Sequence, residues 1–184
     1  MRFLFLILTA SALWAANPMA ASVSRKLDLI ESGKAKPGSV FQFTQAELNA
    51  WVRAEAPTVV PDGFRQPHLE LGNGEASGSA LVDLLKVRRA SGEETPWLVA
   101  RLIQGEKLVT ARASIQSSQG KAKVHLLSVE IGGFEVTGAT LDFLVQNFLL
   151  PIYPDAKIDQ SFDLADHVDR IEIRPAEALV YIRR

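Results

Sequence analysis

Cysteine is absent from the 184 residues, which excludes disulfides, thiolate metal sites, cysteine nucleophiles and a lipid-modified cysteine behind a leader. Histidine is scarce at three residues, and 20 Lys plus Arg against 21 Asp plus Glu leave a formal net charge of −1. Phosphate backbones are bound by net-basic faces, and Arg88, Arg89, Arg183 and Arg184 are too few to make one, so nucleic acid is excluded as a partner. No apolar run reaches the roughly 20 residues that a spanning helix needs. The longest, Phe3 to Ala16, follows Met1 and Arg2 and runs into Asn17, Pro18 and small residues, the layout of a secretory signal peptide.

Ala20-Ala21-Ser22 and Ala10-Ser11-Ala12 both offer small residues for cleavage, and the first leaves the longer apolar core. Residues 1–22 are therefore read as a leader and 23–184 as one domain, with a mature start near Val23 and a destination in the periplasm or outside the cell. About 160 residues can bury a single core without staples.

Val23 to Ser32 suits a short helix ending at Gly33. Val40, Phe41 and Phe43 make a short strand, and Thr44 with Glu47 three residues later has the spacing of a reciprocal helix cap. The helix from Gln45 to about Glu55 carries Leu48, Trp51 and Val52 on one face and is expected to close at Pro57.

From Phe64 the apolar period falls from 3.6 to 2, and Gly72-Asn73-Gly74 predicts a hairpin. The following strand is expected from Ala76 to Arg88, with Gly78, Ala80, Val82 and Leu84 on one face. Trp97 to Gln104 is the next, then Leu108 to Ser117 with Val109, Ala111, Ala113 and Ile115 in phase. Lys121 to Ile131 starts with Ala122, Val124 and Leu126 inward, but Val129 and Ile131 fall in the other phase, which predicts a bulge at Leu127 or Ser128. Ile158 to Leu164 reads as a strand. A last hairpin turns at Pro175-Ala176, with Ile171 and Ile173 facing Leu179 and Tyr181 or in the opposite phase.

Between the two groups of strands, a helix is predicted from Thr137 or Gly138 to Leu150, stopped by Pro151. Leu141, Leu144, Val145 and Phe148 recur at helical spacing, and Phe143, Leu149 and Leu150 widen the apolar arc, leaving Asp142, Gln146 and Asn147 for water. The fold class is thus α+β: a long, curled antiparallel β-meander wrapping an apolar helix, behind a short N-terminal helical segment. The inward strand positions are small, including Gly78, Ala80, Ala111, Ala113 and Ala122. Two readings follow: the wide helix fills the space above them, or they leave a trough for an apolar ligand.

Catalytic chemistry finds no foothold. Asp163, Asp166, His167 and Asp169 match neither a calcium loop nor a paired-histidine helix and read as a solvated acidic turn rather than a metal site. His68 and His125 stand alone in strand patterns, no serine sits in a Gly-x-Ser-x-Gly elbow, and Gly132-Gly133 lacks the ending of a phosphate loop. The chain is expected to be a binder or structural element, not an enzyme, with no cofactor.

Phe43-Thr44-Gln45-Ala46-Glu47-Leu48-Asn49, a strand running into a capped helix, resembles the opening of bacterial envelope proteins with a tubular lipid-binding (TULIP)-like fold, many catalogued as domains of unknown function. The later order is similar too: a long-strand meander, then Val129-Glu130-Ile131-Gly132-Gly133-Phe134 before the apolar helix, then a final strand pair. The resemblance implies a curved sheet whose trough accepts acyl chains or other lipids. It points to Ile131, Phe134, Leu141, Leu144, Val145 and Phe148 as ligand contacts, to a lipid or other apolar small molecule as partner, and to peripheral contact with a membrane. The competing expectation is a cell-envelope interaction module with a filled core, engaging a protein partner through a sheet edge or the C-terminal hairpin.

Overall fold

The computed structural model describes residues 17–59, 63–90, 104–146, 150, 157–165 and 167–184. In chain order these form α1 (Pro18–Glu31), β1 (Val40–Thr44), α2 (Gln45–Val59), β2 (Phe64–Leu71), β3 (Glu75–Asp83), α3 (Leu84–Ala90), β4 (Glu106–Ser118), β5 (Lys121–Ile131), β6 (Phe134–Val136), α4 (Gly138–Leu144), β7 (Ser161–Asp163), β8 (Val168–Arg174) and β9 (Glu177–Ile182). The fold is α+β with antiparallel pairing between all of these strands.

Local chemistry sets the helix ends. Pro18 opens α1 and the Asn17 side chain accepts the Met19 N–H at 3.0 Å, while Gly33 at φ +68° ends the turn beyond it. Residues 17–22, placed in the leader by the sequence reading, form this cap and the first turns: Ala20 is buried and the Ser22 hydroxyl donates to Glu47 at 2.9 Å. At α2 the reciprocal cap is made as expected. The Glu47 N–H donates to Thr44 Oγ1 at 3.2 Å and the Thr44 N–H to Glu47 Oε2 at 2.9 Å. Pro57 does not close α2, which runs on to Val59, because a proline in the last turn removes one donor without dismantling the turns before it.

Three strands in the order β1-β9-β8 make a small sheet, and β2-β3-β4-β5-β6, with β7 paired to the start of β5, make a larger one. The bulge falls where the phase change requires it: Arg112 pairs with Ser128 and Ala113 with Leu126, leaving Leu127 as the extra residue. Both β5 segments therefore keep their apolar side chains on one face. Pro67 is accommodated on the edge strand β2 by another irregularity, between Arg65 and His68, with Gln66 at φ +51°.

Two further expectations are corrected. The strand predicted to reach Arg88 stops at Asp83, whose carboxylate accepts the Lys86 N–H at 3.1 Å and starts α3, so Leu84 leaves the sheet face. The strand predicted from Ile158 is confined to Ser161–Asp163, with Ile158 bridging Val124 in parallel. Of the two phases expected for the last hairpin the structure takes the second: Ile171 faces Val180 and Ile173 faces Ala178, while Leu179 and Tyr181 lie on the outer face. There the Tyr181 hydroxyl donates to Glu172 at 2.9 Å and the Arg170 guanidinium stacks 3.7 Å from its ring. The strand expected at Trp97 to Gln104 lies outside the described residues up to 103.

The core sits at one end of the large sheet. Val23 and Ile30 of α1, Phe43, Val168, Ile173, Ala178, Val180 and Ile182 of the small sheet, and Leu71 of β2 form it, with Leu48, Trp51, Ala76 and Ile115 packed around it. Each strand edge at this end is covered. Asn49 of α2, 5% exposed, donates to the Leu69 carbonyl at 2.7 Å and accepts the Leu69 N–H at 2.8 Å, and Gln45 Oε1 accepts the Leu71 N–H at 2.8 Å. The outer edge of β8 is met by Ser117, whose hydroxyl donates to the Ile171 carbonyl at 2.6 Å and accepts its N–H at 2.7 Å, and by the Gly74 N–H on the Ile173 carbonyl at 3.0 Å. Lys26 caps β1 through the Gln42 carbonyl at 2.7 Å.

Removing the amide in Asn49→Ala strands both backbone groups of Leu69. The variant is expected to lose about 2–4 kcal/mol, read as a lower urea midpoint with an unchanged slope.

Candidate functional site

The large sheet has one apolar and one polar face, fixed by its register. Ala76, Gly78, Ala80 and Val82 of β3 stand opposite Ala113, Ala111, Val109 and Lys107 of β4, and Ala111 and Val109 in turn pair with Val129 and Ile131 of β5. The other face carries Ser77, Ser79, Thr110, Arg112, Ser114 and Gln116, with the Leu81–Leu108 pair as its apolar exception.

Coverage of the apolar face is uneven. Near the small sheet, Ala122 is buried and Ile115 and Ala76 pack onto the core. Farther along, Ala80, Val109, Ala111, Val129 and Ile131 are only half-buried and Gly78 is exposed, while Val82 at the end of the row is buried. Among the described residues, no atom lies within 4 Å of where a Cβ on Gly78 would stand. Among the described residues, these small and partly covered side chains make a shallow apolar floor.

Of the expected ligand contacts, Ile131 and Phe134 fall at the far end of this face. Ile131 pairs with Val109 on one side and with Phe134 on the other. Phe134 follows the Gly132-Gly133 turn and is 79% exposed. Leu141 of α4 is buried, Val145 is half-buried and Asp142 and Gln146 are exposed, in keeping with the expected arc, although Phe143 on its flank is 56% exposed. The α-helix is shorter than expected: it ends at Leu144, and Val145 and Gln146 continue in a wider turn in which the Leu150 N–H donates to the Val145 carbonyl at 2.9 Å. Phe148 and the Leu144 side chain lie outside the described residues. Among those residues, no helix is long and apolar enough to cross a membrane.

Lys107 was missed by the sequence reading. The alternation Lys107-Val109-Ala111 places it on the apolar face, opposite Val82, but starting the strand at Leu108 hid that phase.

The polar face holds an open depression of about 280 Å³ lined by Ser114, Gln116, Lys123 and His125. His125 is not alone: its Nδ1 meets Asp159, a partner 34 residues away that no local pattern announces. Ser114 stands directly across from His125. A hydrolytic triad would need a Ser114–His125 hydrogen bond and free backbone donors for an oxyanion. That bond is absent, and the β4 and β5 backbones are paired in the ladder.

The acidic turn is likewise spent on ordinary contacts. Asp163 pairs with Lys121 at 2.8 Å, which lowers its pKa, and Asp169 pairs with Arg170 at 2.9 Å. His167 Nε2 binds the Ile30 carbonyl at the end of α1, and Asp166 lies outside the described residues. No cluster of three metal-ligating side chains occurs among the described residues. His68 lies 3.7 Å from Glu70 on the exposed edge strand.

The Glu47-Leu48-Asn49 motif has structural work to do. Burial opposes the Glu47 charge, but the Lys26 ammonium, the Thr44 N–H and the Ser22 and Thr44 hydroxyls outweigh it and hold the carboxyl at about 2, against an ordinary 4.5. A folded pKa below the unfolded one stabilises the ionised form; that contribution is complete above pH 4.5 and disappears as pH falls towards 2. Glu47→Gln is expected to lower stability at pH 7 by about 1–2 kcal/mol. Thermal melts from pH 7 to pH 2.5 check this, since the gap between variant and wild type should hold down to the ordinary carboxylate range and narrow below it.

No protein-family model and no curated protein matches the chain, so the function is argued from the apolar face of the large sheet and the residues at its far end.

Proposed function

We propose that the protein is a non-enzymatic binder of a lipid or another apolar ligand, held in a trough between the apolar face of the large sheet and the segment containing α4. Ile131, Phe134, Leu141, Leu144, Val145 and Phe148 serve as its contacts, and the curled sheet wraps the helix around the ligand. The leader in residues 1–22 directs the chain to the periplasm or beyond it. Transfer of the ligand to or from a membrane surface is consistent with the exposure of Phe134.

The observation that carries this reading is the row Gly78, Ala111 and Val129: three paired residues in the middle of an apolar face, with Gly78 exposed and the other two only half-buried. A filled core places bulky side chains over such positions, because interiors pack to crystal-like density. Burial of an acyl chain supplies about 0.8 kcal/mol per methylene before ordering costs, so moderate affinity requires no catalytic or metal group.

Native mass spectrometry of the exported protein is expected to show co-purified lipid, and the delipidated protein should take up a fluorescent fatty acid. Gly78→Phe tests the location. No described atom lies within 4 Å of a Cβ at this position, so the variant should fold with wild-type stability, while its ring occupies the floor and weakens uptake at least about tenfold. Wild-type uptake by folded Gly78→Phe would place the ligand elsewhere, and a wild-type protein that neither carries nor binds lipid would remove the reading.

A further inference from the structure

Resting on the trough reading, we infer that Lys107 receives the anionic head of a single-chain amphiphile whose tail lies along the small-residue row. The ladder fixes its side: Lys107 stands opposite Val82 and two residues from Val109, so its side chain leaves the same face as Val109 and Ala111. It is the one charged residue in an otherwise apolar row along β3 and β4. Its stem lies beside the β5–β6 turn, with Cδ 3.7 Å from where a Gly132 Cβ would stand.

Lys107 is half-buried, and no hydrogen bond or ion pair joins it to a described residue. The nearby acids are committed elsewhere. Glu106 pairs with Arg65, Asp83 lies 3.6 Å from Lys86, and Glu135 lies 3.7 Å from Arg112, all on the polar face. A half-buried ammonium beside the buried Val82, at the end of the row that leads to the exposed Gly78, offers strong hydrogen bonds to a carboxylate or phosphate. The methylenes of its stem extend the floor to the head. The ligand class is therefore an anionic monoacyl compound rather than a sterol or a neutral wax.

The test compares hexadecanoate, hexadecyl phosphate and hexadecanol, each displacing a fluorescent fatty acid from the exported protein. Wild type should prefer at least one anion over the alcohol by about tenfold or more, and the preferred anion identifies the head. Lys107→Met should bring that ratio close to one while leaving hexadecanol binding unchanged, and Lys107→Arg should retain the preference. Equal affinity of wild type for all three compounds, or an undiminished preference in Lys107→Met, overturns the assignment while leaving the trough intact. Failure of all three to bind overturns the assignment and the trough reading together.

Discussion

The first turns of α2 hold the rest of the molecule in place through polar side chains that imitate a neighbouring strand. Asn49 presents one acceptor and one donor to Leu69, and Gln45 presents a further acceptor to Leu71, so the edge of β2 is bonded by a helix rather than by another strand. In the same turns the Gln45 N–H reaches the Ala176 carbonyl of the small sheet at 2.8 Å, and Glu47 holds Lys26 of α1 at 2.8 Å. Edge strands are exposed templates for wrong pairing, and covering them specifies one arrangement of the layers. Ser117 does the equivalent service at β8.

An asymmetry follows. All of this bonding, and the main hydrophobic cluster, is gathered where the small sheet, α1 and α2 meet the β2–β3 and β4–β5 turns. The rest of β3, β4 and β5 extends beyond it, joined by main-chain ladders and half-covered on its apolar side. A platform anchored at one end suits the proposed binding role, because the rigid end supplies stability while the other end carries space. The same separation lets Gly78 keep an exposed position while the strand edges at the anchored end are covered.

Local rules in the sequence were readable. The Thr44–Glu47 cap, the Gly72-Asn73-Gly74 hairpin and the bulge at Leu127 each depend on residues a few positions apart, and each was expected before the fold was known. Long-range partners were not. The role of Asn49 depends on Leu69, twenty positions away, and that of His125 on Asp159. The last hairpin kept two phases open because Leu179 and Val180 are both buried, one on each face, which erases the alternation that would choose between them. At Asp83 a side-chain cap ended a strand whose apolar pattern continued into Leu84. For the site, period-2 alternation revealed the apolar face, and a strand start placed at Leu108 concealed the one lysine on it.

Residue-level amide hydrogen exchange tests most directly whether α2 and Ser117 lock the closed end of the fold. The N–H groups of Leu69, Leu71 and Ile171 donate to side chains rather than to ladder carbonyls, so their protection reports those contacts and no strand pairing. Exchange at all three is expected only on global unfolding, with much faster exchange at Phe134 to Val136. Rapid local exchange at Leu69 and Leu71 in an otherwise folded protein would contradict the central role given to α2.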